Sequence, residues 1–241
     1  MTIPEYTFVF PLALAGIHVT AGRITESKQL AGLPILSSAG GTTVAYVFVL
    51  ILPEINEAVL RVVERPDAAS GFLARETGVY VVVLLGFLVF YGIHVYVTTA
   101  RGEVPEASDL VFWVHVTSFA IYNGLIGYLL FHQETSGTFS LALYTVTMGL
   151  HFLVTDAGFR RHHGTVYQDV GRWVLAGSVL VGAAVGYATE LHEAWLALLF
   201  AFLAGGIVFN VLIEELPEVE WRRFGAFLAG AVVYTTLLLL G

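Results

Sequence analysis

Residues 39–58, AGGTTVAYVFVLILPEINEA, and residues 204–218, AGGIVFNVLIEELPE, carry one signature: an Ala-Gly-Gly triplet, an apolar run, then Leu-Pro-Glu. The Gly-to-Pro intervals differ by one residue. Small residues let helices approach closely within a bilayer, and proline marks a helix exit, so the pattern also suits plain packing and termination. Each run lies in one of eight apolar stretches, at 6–22, 38–55, 78–99, 109–131, 138–158, 170–188, 194–214 and 224–240. About 20 apolar residues cross a hydrocarbon core of about 30 Å as helix. The two copies occupy spans 2 and 7, which traverse the bilayer in opposite senses and so form an inverted repeat, a plan shared by secondary transporters.

Composition agrees with a lipid solvent. The 241 residues are 57% hydrophobic and 12% charged, with mean hydropathy +0.79, against about 25% charge in soluble domains. A disordered chain, a nucleic-acid-binding domain and a secreted disulfide scaffold are excluded, leaving one polytopic membrane domain over residues 1–241. Without cysteine, ligand chemistry falls to His, Asp, Glu, Asn, Thr, Tyr or Met. Lys28 is the sole lysine, which argues against a retinal Schiff base. The net charge of -8 on a lysine-poor, Ala/Val/Gly-rich chain suits a halophilic source, where carboxylates keep a protein hydrated. No basic region precedes the first apolar run, which reads as a retained span.

Basic residues set the expected orientation. Odd-numbered loops hold Arg23, Lys28, Arg101, Arg160, Arg161, Arg172, Arg222 and Arg223, whereas the even-numbered loops hold Arg61, Arg65 and Arg75. The odd loops are therefore expected inside and both termini outside the cytoplasmic membrane. Arg61, Arg65 and Arg75 are offset by Glu57, Glu64, Asp67 and Glu76, consistent with a small helix outside the bilayer.

Span 2, from Ala39-Gly40-Gly41 to Ile51-Leu52-Pro53-Glu54-Ile55-Asn56-Glu57-Ala58, resembles the second helix of the ZIP family of divalent-metal transporters. Span 7, with Gly205-Gly206-Ile207-Val208-Phe209-Asn210 before Glu215-Leu216-Pro217-Glu218, is similar to that family's seventh. The resemblance implies an all-α membrane protein of eight helices in 3+2+3 order, spans 1–3 and 6–8 being inverted repeats. It also implies a metal site on helices 4 and 5, where a His-Asn-x-x-Asp pattern faces a His-Glu-x-x-His-Glu pattern. Alignment puts Phe119, Ala120 and Asn123 on the first pattern, and His151, Phe152, Thr155 and Asp156 on the second. Only His151 and Asp156 keep outright ligand character; Asn123 offers a carbonyl oxygen, and Thr155 shares a face with His151 one turn away. His151 and Asp156 are five apart, about 140° around a regular helix, so one ion does not easily take both. The central site of His151, Asp156, Asn123 and Thr155 is thus degenerate.

An alternative is a layer of imidazoles. His18, His94, His115 and His151 lie four to seven residues from the expected inner ends of spans 1, 3, 4 and 5, at a depth of roughly 6 to 11 Å. Polar groups at such depth mark ion or proton paths, or separately bond neighbouring helices. His162 and His163, beside Arg160 and Arg161, read as a helix-end anchor or as a cytoplasmic metal acceptor. Tyr46 and Asn210 read as interhelical glue or pore lining.

The functional expectation is a non-enzymatic, ZIP-like carrier of a divalent cation (Zn, Mn, Fe or Co), working by movement of the two triplets about the central pair. Entry of the ion would need deprotonated imidazole, so uptake would fall in acid. The expected partners are the lipid bilayer, the cation, and a second copy or a membrane partner, with no nucleic acid. Two rivals stand beside it: a non-transporting scaffold that kept the fold after losing its ligands, and a b-type haem protein ligated by paired histidines.

Overall fold

The computed structural model describes residues 8–26, 35–64, 71–100, 105–132, 138–216 and 221–240. Lys28, Arg65, Asp67, Arg101, Pro217, Glu218 and Glu220 lie outside the described residues. All regular structure among the described residues is helical. The helices are α1 (Val9–Glu26), α2 (Ile35–Glu64), α3 (Glu76–Thr99), α4 (Pro105–Leu129), α5 (Thr138–Val166), α6 (Arg172–Ala188), α7 (Glu193–Asn210) and α8 (Trp221–Leu240).

Among the described residues, six helical runs are long and apolar enough to cross a membrane. They are Ile35–Glu64, Glu76–Thr99, Asp109–Leu129, Leu141–Ala188, Glu193–Ile213 and Arg223–Leu240. The chain is a multi-pass helical membrane protein. The first expected span is shorter, apolar over Val9–Gly22. Leu141–Ala188 is one run of 48 residues, about 72 Å if straight and twice a bilayer core. It is not straight, because Gly164 (φ 56, ψ -128) breaks it. That backbone conformation suits glycine, which carries no Cβ. The chain then folds back, bringing Tyr167 onto the ring of Phe159 at 5.2 Å. Arg61 falls within α2, which continues as helix past the expected exit at residue 55.

Glycines fix the packing. A methyl carbon on Gly41 of α2 would fall 1.9 Å from the Phe227 carbonyl oxygen of α8, and one on Gly230 would fall 2.1 Å from that of Ser38. Between α3 and α7 the same holds: a methyl carbon on Gly205 would fall 1.9 Å from the Val83 oxygen, and one on Gly86 would fall 2.0 Å from that of Phe202. Between α4 and α6, Gly182 would meet the Gly124 oxygen at 1.9 Å and Gly127 that of Val179 at 2.2 Å. No side chain fits between these backbones, so only glycine permits the approach.

These contacts share a numerical relation. Positions in α2 and α7 differ by 164, as Gly41 to Gly205 and Ser38 to Phe202, while those in α3 and α8 differ by 144, as Val83 to Phe227 and Gly86 to Gly230. The same offset of 164 pairs Tyr46 with Asn210, Pro53 with Pro217, and the π turn Val47–Ile51 with the π turn Val211–Glu215. The two Ala-Gly-Gly triplets are therefore one residue out of structural register, which accounts for their unequal distance to proline.

Helix directions follow from the contacts. In α1 and α5, Ile17 meets Gly149, His18 meets Asp156 and Gly22 meets Arg160, so the helices run parallel. The α4/α6 pair is parallel too, as are α2/α8, where Thr42 meets Gly230 and Tyr46 meets Tyr234, and α3/α7, where Val79 clusters with Ala194 and His94 packs on Phe209. By contrast α2 and α7 are antiparallel: Ala58, Val59 and Val62 cluster with Ala194, Ala197, Leu198 and Ala201, while the amino-terminal half of α2 reaches the π turn that ends α7. Two sets result, α2, α3, α7 and α8 in one, and α1, α4, α5 and α6 in the other. They meet chiefly where α2 packs on α5, with smaller contacts of α4 with α3 and α7. The expected triplets are not packing units, since α2 lies with α8 and α3 with α7.

Candidate functional site

The helices that gather at the centre of the second set carry its buried polar residues. Asp156 is the one carboxylate fully buried among the described residues, at 0% exposure. Its oxygens accept from His18 Nδ1 on α1 at 2.9 and 3.1 Å. The Tyr167 hydroxyl, in the π turn before α6, donates to the same carboxylate. On the far side of the imidazole, Asn123 Nδ2 on α4 donates to His18 Nε2 at 3.0 Å. Four helical segments thus contribute one residue each to a chain Asn123–His18–Asp156–Tyr167. Each ring nitrogen of His18 thus has a protein partner, the Asp156 carboxylate on one side and the Asn123 amide on the other. The Phe152 ring stacks on the imidazole at 4.4 Å.

Arginines close the end of this chain nearest the carboxyl terminus of α1. Arg160 Nη1 donates to the Gly22 carbonyl at 2.9 Å and Arg172 Nη1 to that of Val19 at 3.4 Å. These carbonyls belong to the last turns of α1, where the helix dipole favours cations.

His151 faces elsewhere. Its Nε2 lies 2.9 Å from the Tyr122 hydroxyl, and the Tyr122 ring lies beside Gly206 of α7. The angular separation of His151 and Asp156 read from spacing thus appears as two sets of neighbours. Thr155 is buried on the same helix. Of the imidazole layer, His18 joins Asn123 and Asp156, whereas His94 packs edge-on against Phe209 at 5.7 Å. His115 stacks on Phe159 at 4.1 Å and places Nδ1 3.0 Å from His163 Nε2. Tyr167 and Tyr122 were not singled out in the sequence; Tyr167 reaches Asp156 only because Gly164 reverses the chain.

Among the described residues, no three His, Cys, Asp or Glu side chains gather closely enough to hold a metal ion. Both His18 nitrogens are engaged by protein groups. A dication that took an Asp156 oxygen and a His18 nitrogen would displace at least one of these protein partners. No protein-family model matches the chain, and no curated protein matches it.

Proposed function

We propose that the chain is a permease of ZIP-like build that carries a small cation through the cytoplasmic membrane, with both termini outside. Its eight crossings follow 3+2+3 order, the outer triplets being inverted repeats. The shared offsets of 164 and 144, the parallel pairs and the antiparallel crossing of α2 with α7 support this architecture. The unit of movement is one four-helix set against the other, because each triplet is divided between the sets. The observation that carries the transport reading is Asp156, an ionisable group kept within the bilayer at the junction of four helical segments. Such groups are costly and mark ion or proton paths. A cation would bind at Asp156 and His18 and be released when the two close on each other.

The test is uptake of Zn, Mn, Fe and Co into proteoliposomes. Asp156→Asn and His18→Ala should each abolish uptake, whereas His94→Ala should leave it unchanged. No uptake of any of these ions by the unmutated protein would overturn the proposal. A second reading, a non-transporting scaffold, is favoured by the satisfied state of His18 and by Phe119, Ala120, Phe152 and Thr155 at the family's ligand positions. It predicts a stoichiometric membrane partner on purification.

A further inference from the structure

A groove of about 500 Å³ opens on the outer surface where α4, α6 and α7 meet. Its walls include Ala120, Ile121 and Leu125 of α4, Val181 and Val185 of α6, and Leu199 of α7. Its floor is Gly124 and Gly182, the place where α4 and α6 come closest and no side chain fills the valley. We propose that this groove holds one hydrocarbon chain of a membrane lipid.

Three observations select that occupant. Ile121 and Val181 are 63% and 64% exposed in the middle of membrane-spanning helices, where the surrounding medium is lipid. The groove follows α4 from Thr117 to Tyr128, eleven residues or about 16 Å, close to half a core of about 30 Å and hence to the depth of one leaflet. Tyr128 lines the end of the groove four residues before His132, and its buried hydroxyl has no partner in the protein. An unsatisfied hydroxyl in an apolar medium is costly. The Tyr128 ring stacks on His132 at 4.4 Å, and a rotation away from that stack would let the hydroxyl donate to a glycerol oxygen of the lipid, at the level where the hydrocarbon ends. Because α4 and α6 belong to one helix set and α7 to the other, the bound chain lies in the seam between them.

Photo-crosslinking tests the assignment, using phosphatidylglycerol with a diazirine in one acyl chain and the full-length protein in nanodiscs. Labelling of residues 117–128 and 178–185 should exceed that of ordinary lipid-facing residues such as Leu84 and Val232 by at least about fivefold, a preference of about 1 kcal/mol. Val181→Phe, at an exposed position outside the core, should bring groove labelling down to the level of Leu84 while labelling at Leu84 stays constant. Ala120→Phe should do the same, and Tyr128→Phe should lower groove labelling without moving it elsewhere. Equal labelling around the whole belt, or enrichment that survives Val181→Phe, would overturn the proposal.

Discussion

Leu-Pro-Glu stands at equivalent places in α2 and after α7, and the backbone at its leucine differs between the two. At Leu52 the backbone is helical (φ -63, ψ -44) and the helix runs through Pro53 to Glu64. At Leu216 it is extended (φ -68, ψ 129) and the helix stops. Both are preceded by a π turn ending two residues before the proline. In α2 the Leu52 N–H bonds the Val47 carbonyl, five residues back. The widened turn relieves the clash a proline ring makes with the preceding turn. The local sequence therefore allows both outcomes, since a residue before proline favours extended backbone when nothing opposes it. What opposes it in α2 is packing: Ile55, Ala58, Val59 and Val62 are all buried, the last three against the start of α7. Residues 218–220 after Pro217 read Glu-Val-Glu, with little apolar surface to bury.

The largest test attacks what the two helices share. Gly41→Ala and Gly205→Ala each put a methyl carbon 1.9 Å from a carbonyl oxygen, so each should cost about 3 kcal/mol, the upper end for overpacking, by forcing two backbones apart. Thermal midpoints in detergent should fall together for both, whereas Gly16→Ala, which has no neighbour within 4 Å, should hold or slightly raise the midpoint, since alanine favours helix over glycine by about 0.5–1 kcal/mol. A severe loss at one glycine alone would break the equivalence.

The next prediction probes the difference. Ile55→Ala should cost about 2 kcal/mol through lost packing, and amide exchange beyond Pro53 should accelerate. Unchanged exchange there would mean that burial does not carry the helix through the proline. Smaller still is the contrast between two asparagines. Asn210 Nδ2 is buried without a partner, so Asn210→Leu should be neutral or stabilise by up to about 1 kcal/mol, whereas Asn123→Leu orphans His18 Nε2 and should cost about 1 to 3 kcal/mol. Unfolding in mixed micelles measures both. Pro53→Ala should change stability least, by under about 1 kcal/mol, because the π turn already accommodates the ring; this is well below the roughly 3 kcal/mol a proline costs inside a regular helix.

The repeat was legible from Gly and Pro alone, but its register was not. Counting from the Ala-Gly-Gly triplet pairs Gly40 with Gly205, while the carbonyls of Phe227 and Val83 pair Gly41 with Gly205. The site was legible in part. Spacing separates His151 from Asp156, yet nothing in the chain joins Asp156 to His18, 138 residues away, or to Tyr167 across the bend at Gly164. His18 stood with His94 and His115 as one layer at similar depth, and depth says nothing about which way a ring points.

The sequence by itself determined the solvent and the elements. Runs of apolar residues with few charges have nowhere to go but lipid, and in lipid a backbone must satisfy its own hydrogen bonds as helix. Only the tertiary structure decided which helices touch, where α2 ends, and which of eight histidines meets the buried carboxylate. Those outcomes depend on rotation about each helix axis and on a partner far along the chain, and in a medium as apolar as the helices themselves they are set by close backbone approach and paired polar groups.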